Sequence, residues 1–399
     1  MGECPFHSDD FSQFDHHAPE IRKNAEQLWQ RLRGTEGLAH SDQYGGFYIV
    51  SRNADVRAAA VRHNLFSTSD GAAIPKEDRT PHIPEEIDPP LQLQFRRLLE
   101  PFLTQEQADA LVPVIRRHVT ERLDAFGGAQ RVDFVSQFTA PFPVLLSLEL
   151  FGFPKADAAL LVDLVETLIN HRGTDVGRRA SAGLTAYLER FLTAKAASAV
   201  SASEGIVASI ALGEVEGRPL EMWEKVSMTR LLLFGGFTTV NLTMAMTMYH
   251  LAREPGLFTR LRAEPALMAT AIDEFVRIAS AGTYIARTVM SDTELGGTKL
   301  HTGEKLLLCY GAANRDPAIF RNPEAVMLER APNPHLGFGF GTHRCMGASL
   351  AKVEIRVILE ELLSRYEGFE PDPDQPVIWG EGETQGLKSL PLVLHARKS

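Results

Sequence analysis

Three observations predict a mainly α-helical fold with a minor β portion. Apolar residues recur at helical spacing almost continuously from Leu91 to about Leu212. A second, longer apolar stretch runs from Pro219 to Arg253 and stops only at Pro255. Segments with strand character are short and lie toward the two ends, at Gly45 to Arg52, at Ile285 to Tyr310 and in a tail ending near Leu394.

The elements follow in order. Ala18 to Arg33 has the spacing of an amphipathic helix. Gly45 to Arg52 reads as a strand, and Asn53 is the expected N-cap of a helix reaching Arg62. Gly71 to Pro90, rich in proline, glycine and charge, reads as loop. The helical stretch beyond it breaks at Gly127-Gly128, Gly152-Phe153-Pro154 and Gly173. Pro219 suits the first turn of the long helix, where its missing N–H costs nothing. At 1.5 Å per residue that helix would span about 50 Å, enough to cross the whole molecule. Pro265 to Ala279 forms another helix, and the last runs from Ala348 to about Tyr366.

The hydrophobic fraction of 44% and charged fraction of 23% are those of a soluble globular protein. A net charge of −10 argues against a general nucleic-acid binder. Cys4, Cys309 and Cys345 form neither a CxxC pair nor an even framework, which fits a reducing compartment. The segment Met1 to His7 has no apolar core, so neither a signal peptide nor a membrane anchor is expected. The best membrane candidate, Leu231 to Leu251, carries several threonines with Asn241, Tyr249 and His250. It is too polar to face lipid and reads as a buried helix of a cytoplasmic protein.

The most informative stretch is Phe338-Gly-Phe-Gly-Thr-His-Arg-Cys345-Met-Gly347. Gly339 and Gly341 permit a tight turn with φ > 0 and close approach of the backbone to something flat. The helix from Ala348 aims its free N–H groups and positive end at Cys345, which favours the metal-binding thiolate and a depressed thiol pKa. A buried loop cysteine is the plainer alternative. The pattern Phe-Gly-x-Gly-x-His-x-Cys-x-Gly resembles the haem-binding signature of the cytochrome P450 family, with every fixed position filled. The resemblance extends over essentially the whole chain. It implies the P450 fold as a single domain over 1–399, with a β-rich N-terminal part at about 18–90, a helical core at about 91–280 and the haem-thiolate loop at 335–347.

The same resemblance assigns the other residues. Cys345 is the implied axial ligand of haem b (iron protoporphyrin IX), with Phe338 and Gly339 in its loop and Gly235 against the macrocycle. Glu274-Phe-Val-Arg277 corresponds to the family's Glu-x-x-Arg, with Arg330 as the implied third member of a structural network; alone, such a pair is more often a solvated surface pair. His343, Arg287 and Arg96 are implied at the haem propionates, and Gln92 stands where many relatives have histidine. In Gly235-Gly236-Phe237-Thr238-Thr239, Thr239 falls in the conserved threonine slot and Thr238 in a slot usually filled by an acid that helps deliver protons. Two mid-helix glycines each cost about 1 kcal/mol against alanine, so a flat ligand or helix packing must account for them.

The implied activity is a soluble bacterial monooxygenase. It would use O2 and electrons from a [2Fe–2S] ferredoxin with its NAD(P)H-dependent reductase to hydroxylate or O-dealkylate a small hydrophobic substrate. The stretch His82 to Pro90 resembles the camphor-hydroxylating branch, which suggests a terpenoid or small aromatic substrate. No nucleic acid or membrane partner is expected. Leu231, Phe234, Thr283 to Ile285 and Thr384 would line the substrate pocket. Gly71 to Pro84 would cover it, with Lys76, Asp78, Arg79 and His82 available to a polar substrate group. Arg344, Arg97 and Lys352 would form a basic face for ferredoxin. The absent acid keeps two alternatives open, a P450-type nitric oxide reductase and a non-catalytic haem-thiolate sensor or ligand carrier.

Overall fold

The long apolar stretch forms one unbroken helix, Met222–Arg253, packed against helices Pro141–Leu150, Asp175–Ser198, Met268–Ala279 and Ala348–Arg365. The computed structural model describes residues 10–18, 21, 24–77, 79–171, 174–379 and 386–397. At 32 residues this helix is about 48 Å long. It begins three residues later than its apolar pattern suggests. Pro219 belongs to a two-stranded hairpin, Glu214–Val215 against Arg218–Pro219. The helix is instead started by a reciprocal cap in which the Glu221 and Glu224 side chains each accept from the other's backbone.

Two apolar cores meet along it. Its first half, with Met228, Leu233 and Phe237, packs with Leu184, Leu188 and Ile210. Its second half, from Val240 to Ala252, packs with Phe138, Phe142 and the final helix Ala348–Arg365. The Gly-Gly-Phe-Thr-Thr stretch lies at the seam between them. The helix is apolar and long enough to cross a membrane by composition alone, but half its residues are buried against protein neighbours.

The main sheet has five strands in the order Ala39–Ser41, Phe47–Val50, Lys305–Cys309, Tyr284–Val289 and Phe66–Ser67. Phe47–Val50 and Lys305–Cys309 pair in parallel across more than half the sequence, a non-local closure that local patterns do not reveal. A short strand inside the helical stretch, Arg131–Asp133, pairs with Pro391–Ala396 of the tail. The amphipathic pattern at Ala18 to Arg33 is seen as helix over Ala25–Gly34, and residues 19–20 and 22–23 lie outside the described set.

Asn53 is not the N-cap of its helix. Helix Asn53–Val61 starts on it, and the Asn53 N–H is capped by the Asp316 carboxylate at 2.9 Å. The Asn53 side chain instead donates to the Ala313 carbonyl and accepts from Arg57.

The final helix buries Glu354 among apolar neighbours, and burial alone pushes its carboxyl up to about 8. Below the unfolded-state value, about 4.3, both states are protonated and the burial costs nothing. As pH rises the unfolded chain ionises while the native carboxyl stays neutral, so stability is lost until about pH 8. Glu354→Gln should therefore melt at a higher temperature than wild type at pH 8, with the advantage vanishing near pH 4. Identical melting curves at both pH values would show that the carboxyl is solvated.

Candidate functional site

The cysteine loop is built as its glycines require. Gly339 and Gly341 have φ of +69° and +72°, and the Cys345 N–H donates to the Phe338 carbonyl at 2.8 Å. The close approach at Gly341 is to a helix: a Cβ there would sit 2.5 Å from the Ala60 carbonyl oxygen. The loop is thus pressed against Asn53–Val61.

Cys345 has open space before its sulfur, yet protein atoms surround it deeply. A cavity of about 180 Å³ lined by Arg96, Glu100, Arg344, Cys345 and Met346 opens beside it. Burial therefore pushes the thiol up, against the expectation from the following helix; the Gly347 N–H and the Arg344 and Arg96 charges pull the other way without prevailing. A bound metal ion reverses this balance, since a coordinating thiol is deprotonated outright. A larger hollow of about 500 Å³ lies between Gln30, Arg33, Arg52 and Asp55 and is not lined by Cys345.

A buried ionic network holds the loop from behind. Glu274 and Arg277 are both fully buried. Glu274 accepts from Arg277 Nε and Nη2 at 2.8 Å each, from Arg330 Nε at 2.9 Å, from Asn333 Nδ2 at 3.2 Å and from the Met327 N–H at 2.9 Å. The remaining Arg277 donors reach the carbonyls of Asn314, Pro323 and Ala325. Desolvation pushes Glu274 up, but the Arg277 bonds and the Arg330 charge outweigh it and hold the carboxyl below its usual range. Asn333 escaped the sequence reading, although it sits between the two prolines that frame the segment.

The cationic set gathers around His343. Burial, then the nearby Arg287 and Arg96 charges, push His343 down to about 4, so its ring is neutral near pH 7. Its Nε2 lies 3.4 Å from Thr68 Oγ1, and Thr68 in turn donates to Asp88. Arg287 is 2% exposed, and its hydrogen bond goes to the Ala286 carbonyl. It has no carboxylate partner among the described residues, an arrangement that calls for an anion. Arg96 spans Glu100 and the Arg344 carbonyl at 3.0 Å each. Gln92 is fully buried and donates to the Thr342 carbonyl at 2.8 Å, so it braces the cysteine loop. Its Oε1 has no partner among the described residues; being an acceptor, it could not serve a carboxylate.

On the long helix the two glycines have different reasons. Gly236 faces Ser147, whose Oγ would lie 2.9 Å from an added Cβ, so helix packing explains it. Gly235 is exposed at mid-helix, with nothing within 4 Å of an added Cβ, so it lines open space at the seam. The Thr238 and Thr239 hydroxyls donate to the carbonyls of Phe234 and Gly235 at 2.9 and 2.7 Å. Both protons are committed to the helix, which leaves only lone pairs facing outward.

Leu231, Phe234 and Ile285 keep partial exposure. Thr283 and Tyr284 are buried instead, and Thr283 Oγ1 donates to the Ser280 carbonyl. Thr384 and Asp78 lie outside the described residues. The expected cover is fixed to the long helix: Ser227 Oγ accepts from the Ile83 N–H at 3.0 Å and donates to the Pro81 carbonyl at 2.6 Å. Its cations are consumed internally, Lys76 by Asp70 at 2.5 Å and Arg79 by Glu86 at 2.7 Å. The free positive channel that a directly NADH-fed reductase would need therefore gains nothing from them. His82 is neutral near pH 7, pushed down to about 4 by burial and by Arg79, and its ring lies 6.3 Å from that of Phe234. Of the three expected basic residues, Arg97 and Arg344 are exposed, whereas Lys352 is paired with Asp273 at 2.5 Å.

A glycine loop presenting one thiol, a buried arginine with no carboxylate among the described residues and a glycine-lined seam in a long core helix together mark a candidate cofactor site. The description Cytochrome P450 matches residues 149–391. Steroid C26-monooxygenase of Mycolicibacterium smegmatis is 29% identical, covering 91% of this chain and 89% of that protein. Pentalenic acid synthase of Streptomyces avermitilis is 30% identical, covering 77% and 76%. The crystal structure of CYP109E1 from Bacillus megaterium with testosterone superposes with a TM-score of 0.84 at 28% identity, over 94% of this chain and 99% of that one. This chain belongs to the cytochrome P450 family; it is a P450 monooxygenase, an oxidoreductase whose family cofactor is a haem-thiolate iron.

Proposed function

We propose that the chain binds haem b through Cys345 and, fed by a [2Fe–2S] ferredoxin and its NAD(P)H-dependent reductase, hydroxylates or O-dealkylates a small hydrophobic substrate. Each turnover would consume one O2, two electrons and two protons, with one oxygen atom entering a C–H bond and the other leaving as water. The observation that carries the reading is Arg287, a buried guanidinium without a carboxylate, beside a thiol-presenting loop. A haem propionate is the anion it fits, with His343 and Arg96 alongside. When bound, the haem supplies the oxygen chemistry, and a thiolate ligand favours O–O cleavage. Gln92, Phe338 and Gly339 shape the loop, while Gly235 leaves room beside the helix.

Leu231, Phe234, Ile285 and a neutral His82 make the surroundings of the seam mostly apolar, which suits a terpenoid or small aromatic compound. Relatives named for a steroid and for pentalenic acid, and a neighbour solved with testosterone, favour the terpenoid side of that range. Arg97 and Arg344 are the exposed cations offered to an acidic ferredoxin.

The test is reconstitution with a ferredoxin pair, on compounds first chosen for a low-to-high-spin Soret shift. Substrate-dependent NAD(P)H consumption with one atom of 18O from 18O2 in the product is expected. Direct oxidation of NADH by the nitric oxide adduct, or no turnover with either system, would overturn the reading.

Thr238 and Thr239 are assigned to proton delivery. Neither hydroxyl has a free proton, so Thr239 acts through lone pairs that can hold a water, and its neighbour in the acid slot is a threonine. Thr238→Asp should raise the product formed per NAD(P)H, and Thr239→Ala should lower it with more peroxide released. Tight coupling in wild type together with an unaltered ratio in Thr239→Ala would assign the relay elsewhere.

A further inference from the structure

A second cluster of donors lies far along the chain from the cysteine loop, in Asp15-His16-His17. One ring nitrogen from each histidine and one carboxylate oxygen of Asp15 fall within 4.8 Å of one another. His16 is 2% exposed, and its Nδ1 has no hydrogen-bond partner among the described residues. A histidine kept only for packing normally satisfies both ring nitrogens. Its ring sits edge-on to Phe47 and Tyr284, with centroids at 5.7 and 5.5 Å.

The neighbours are arranged as supports of a metal site. His17 Nε2 lies 2.8 Å from the Ile74 carbonyl, which can only accept. Nε2 must therefore carry the proton, and in the neutral ring Nδ1 is left as a ligand atom. Asp15 Oδ1 accepts from the His17 N–H and from Tyr44 Oη at 2.9 Å each, which orients the carboxylate.

We propose that Asp15, His16 and His17 form a binding site for a divalent transition metal, with zinc the fitting ion. Two imidazoles and a carboxylate are borderline ligands of the kind zinc takes, and water would complete a four-coordinate shell. Bonds of 2.0–2.1 Å bring tetrahedral ligands to about 3.4 Å from one another, so the donors must draw together on binding. The half-buried side chains of Asp15 and His17 leave room for that movement. A cation on the His17 ring also makes Nε2–H a stronger donor to Ile74, which tightens the segment leading toward His82.

The experiment is calorimetric titration of Zn2+ into untagged, haem-loaded, metal-stripped protein, paired with a thermal melt. One tight site per chain and a higher melting temperature with Zn2+ are expected. His17→Gln and Asp15→Asn alter half-buried groups and should still fold; each should weaken the tight site by more than the about 10–100-fold that a supporting group is worth. His301→Gln removes the exposed histidine beside Asp292 and should leave the tight site unchanged. Absence of a tight site in wild type, or a tight site that survives both His17→Gln and Asp15→Asn, would overturn the proposal.

Discussion

Glu274→Ala is expected to leave little soluble, haem-loaded protein. The substitution strands Arg277, fully buried, and Arg330, nearly so, without the carboxylate that compensates them. Breaking a buried ion pair by removing one partner costs about 3–5 kcal/mol, a large share of the 5–15 kcal/mol that typically separates native from unfolded protein. The loss falls on the cysteine loop, because Arg277 and Arg330 between them hold the carbonyls of Asn314, Arg321, Asn322, Pro323 and Ala325, just before it. Haem content per chain and the melting temperature should fall together. Glu274→Gln, which keeps the shape but not the charge, should lie between the variant and wild type.

The pH dependence of this effect has a definite sign. Glu274 is held below the usual carboxylate range in the folded state, so its contribution is complete above the unfolded value, about 4.3, and fades as pH falls through the folded one. The gap in melting temperature between wild type and Glu274→Ala should accordingly narrow in acid. Normal haem content and an unshifted melting temperature in Glu274→Ala at neutral pH would mean that the network is not what holds the loop.

What the sequence made legible was whatever depends on neighbours along the chain. The long helix was visible because its apolar run has no competing local signal over some nine turns, and the positive φ of Gly339 and Gly341 because a turn there demands it. The errors arose where a competing local signal or a distant residue decides. Pro219 suits a helix start equally well, but Glu216 and Gly217 adopt the positive φ of a hairpin turn and Glu221 supplies the cap, so the helix begins later. Asn53 has the chemistry of an N-cap, yet Asp316, on the far side of the sequence, reaches its N–H first.

The site divides in the same way. Glu274, Arg277 and Arg330 do meet, but the third side chain on that carboxylate, Asn333, could be found only from the folded loop. Lys352 looked like a surface cation, and its pairing with Asp273 required knowing which faces of two helices meet. Gly235 and Gly236 are indistinguishable in sequence; only the placement of Ser147 separates the packing glycine from the one that borders open space.

Cys345→Ser should abolish the long-wavelength Soret band of the ferrous–carbon monoxide form and with it all monooxygenase turnover, while leaving the chain folded. The loop does not depend on the sulfur for its shape: the Cys345 backbone N–H bonds to Phe338, Gly341 packs on Ala60, and Gln92 holds Thr342, none of which a serine disturbs. Haem retained by Arg287, His343 and Arg96 alone would lack the electron-donating thiolate that sets the spectrum and the chemistry of this class. Burial strengthens the contrast. A site that pushes the Cys345 thiol up disfavours an unpaired anion, and a serine hydroxyl, a far weaker acid, is poorly suited to stand in as a ligand. Cys309→Ser serves as the control, because Cys309 is a fully buried core residue with its thiol pushed up to about 12, and its loss should leave the band in place. A normal carbon monoxide spectrum in Cys345→Ser, or loss of the band in Cys309→Ser alone, would transfer the ligand away from the loop and undo the assignment of Cys345.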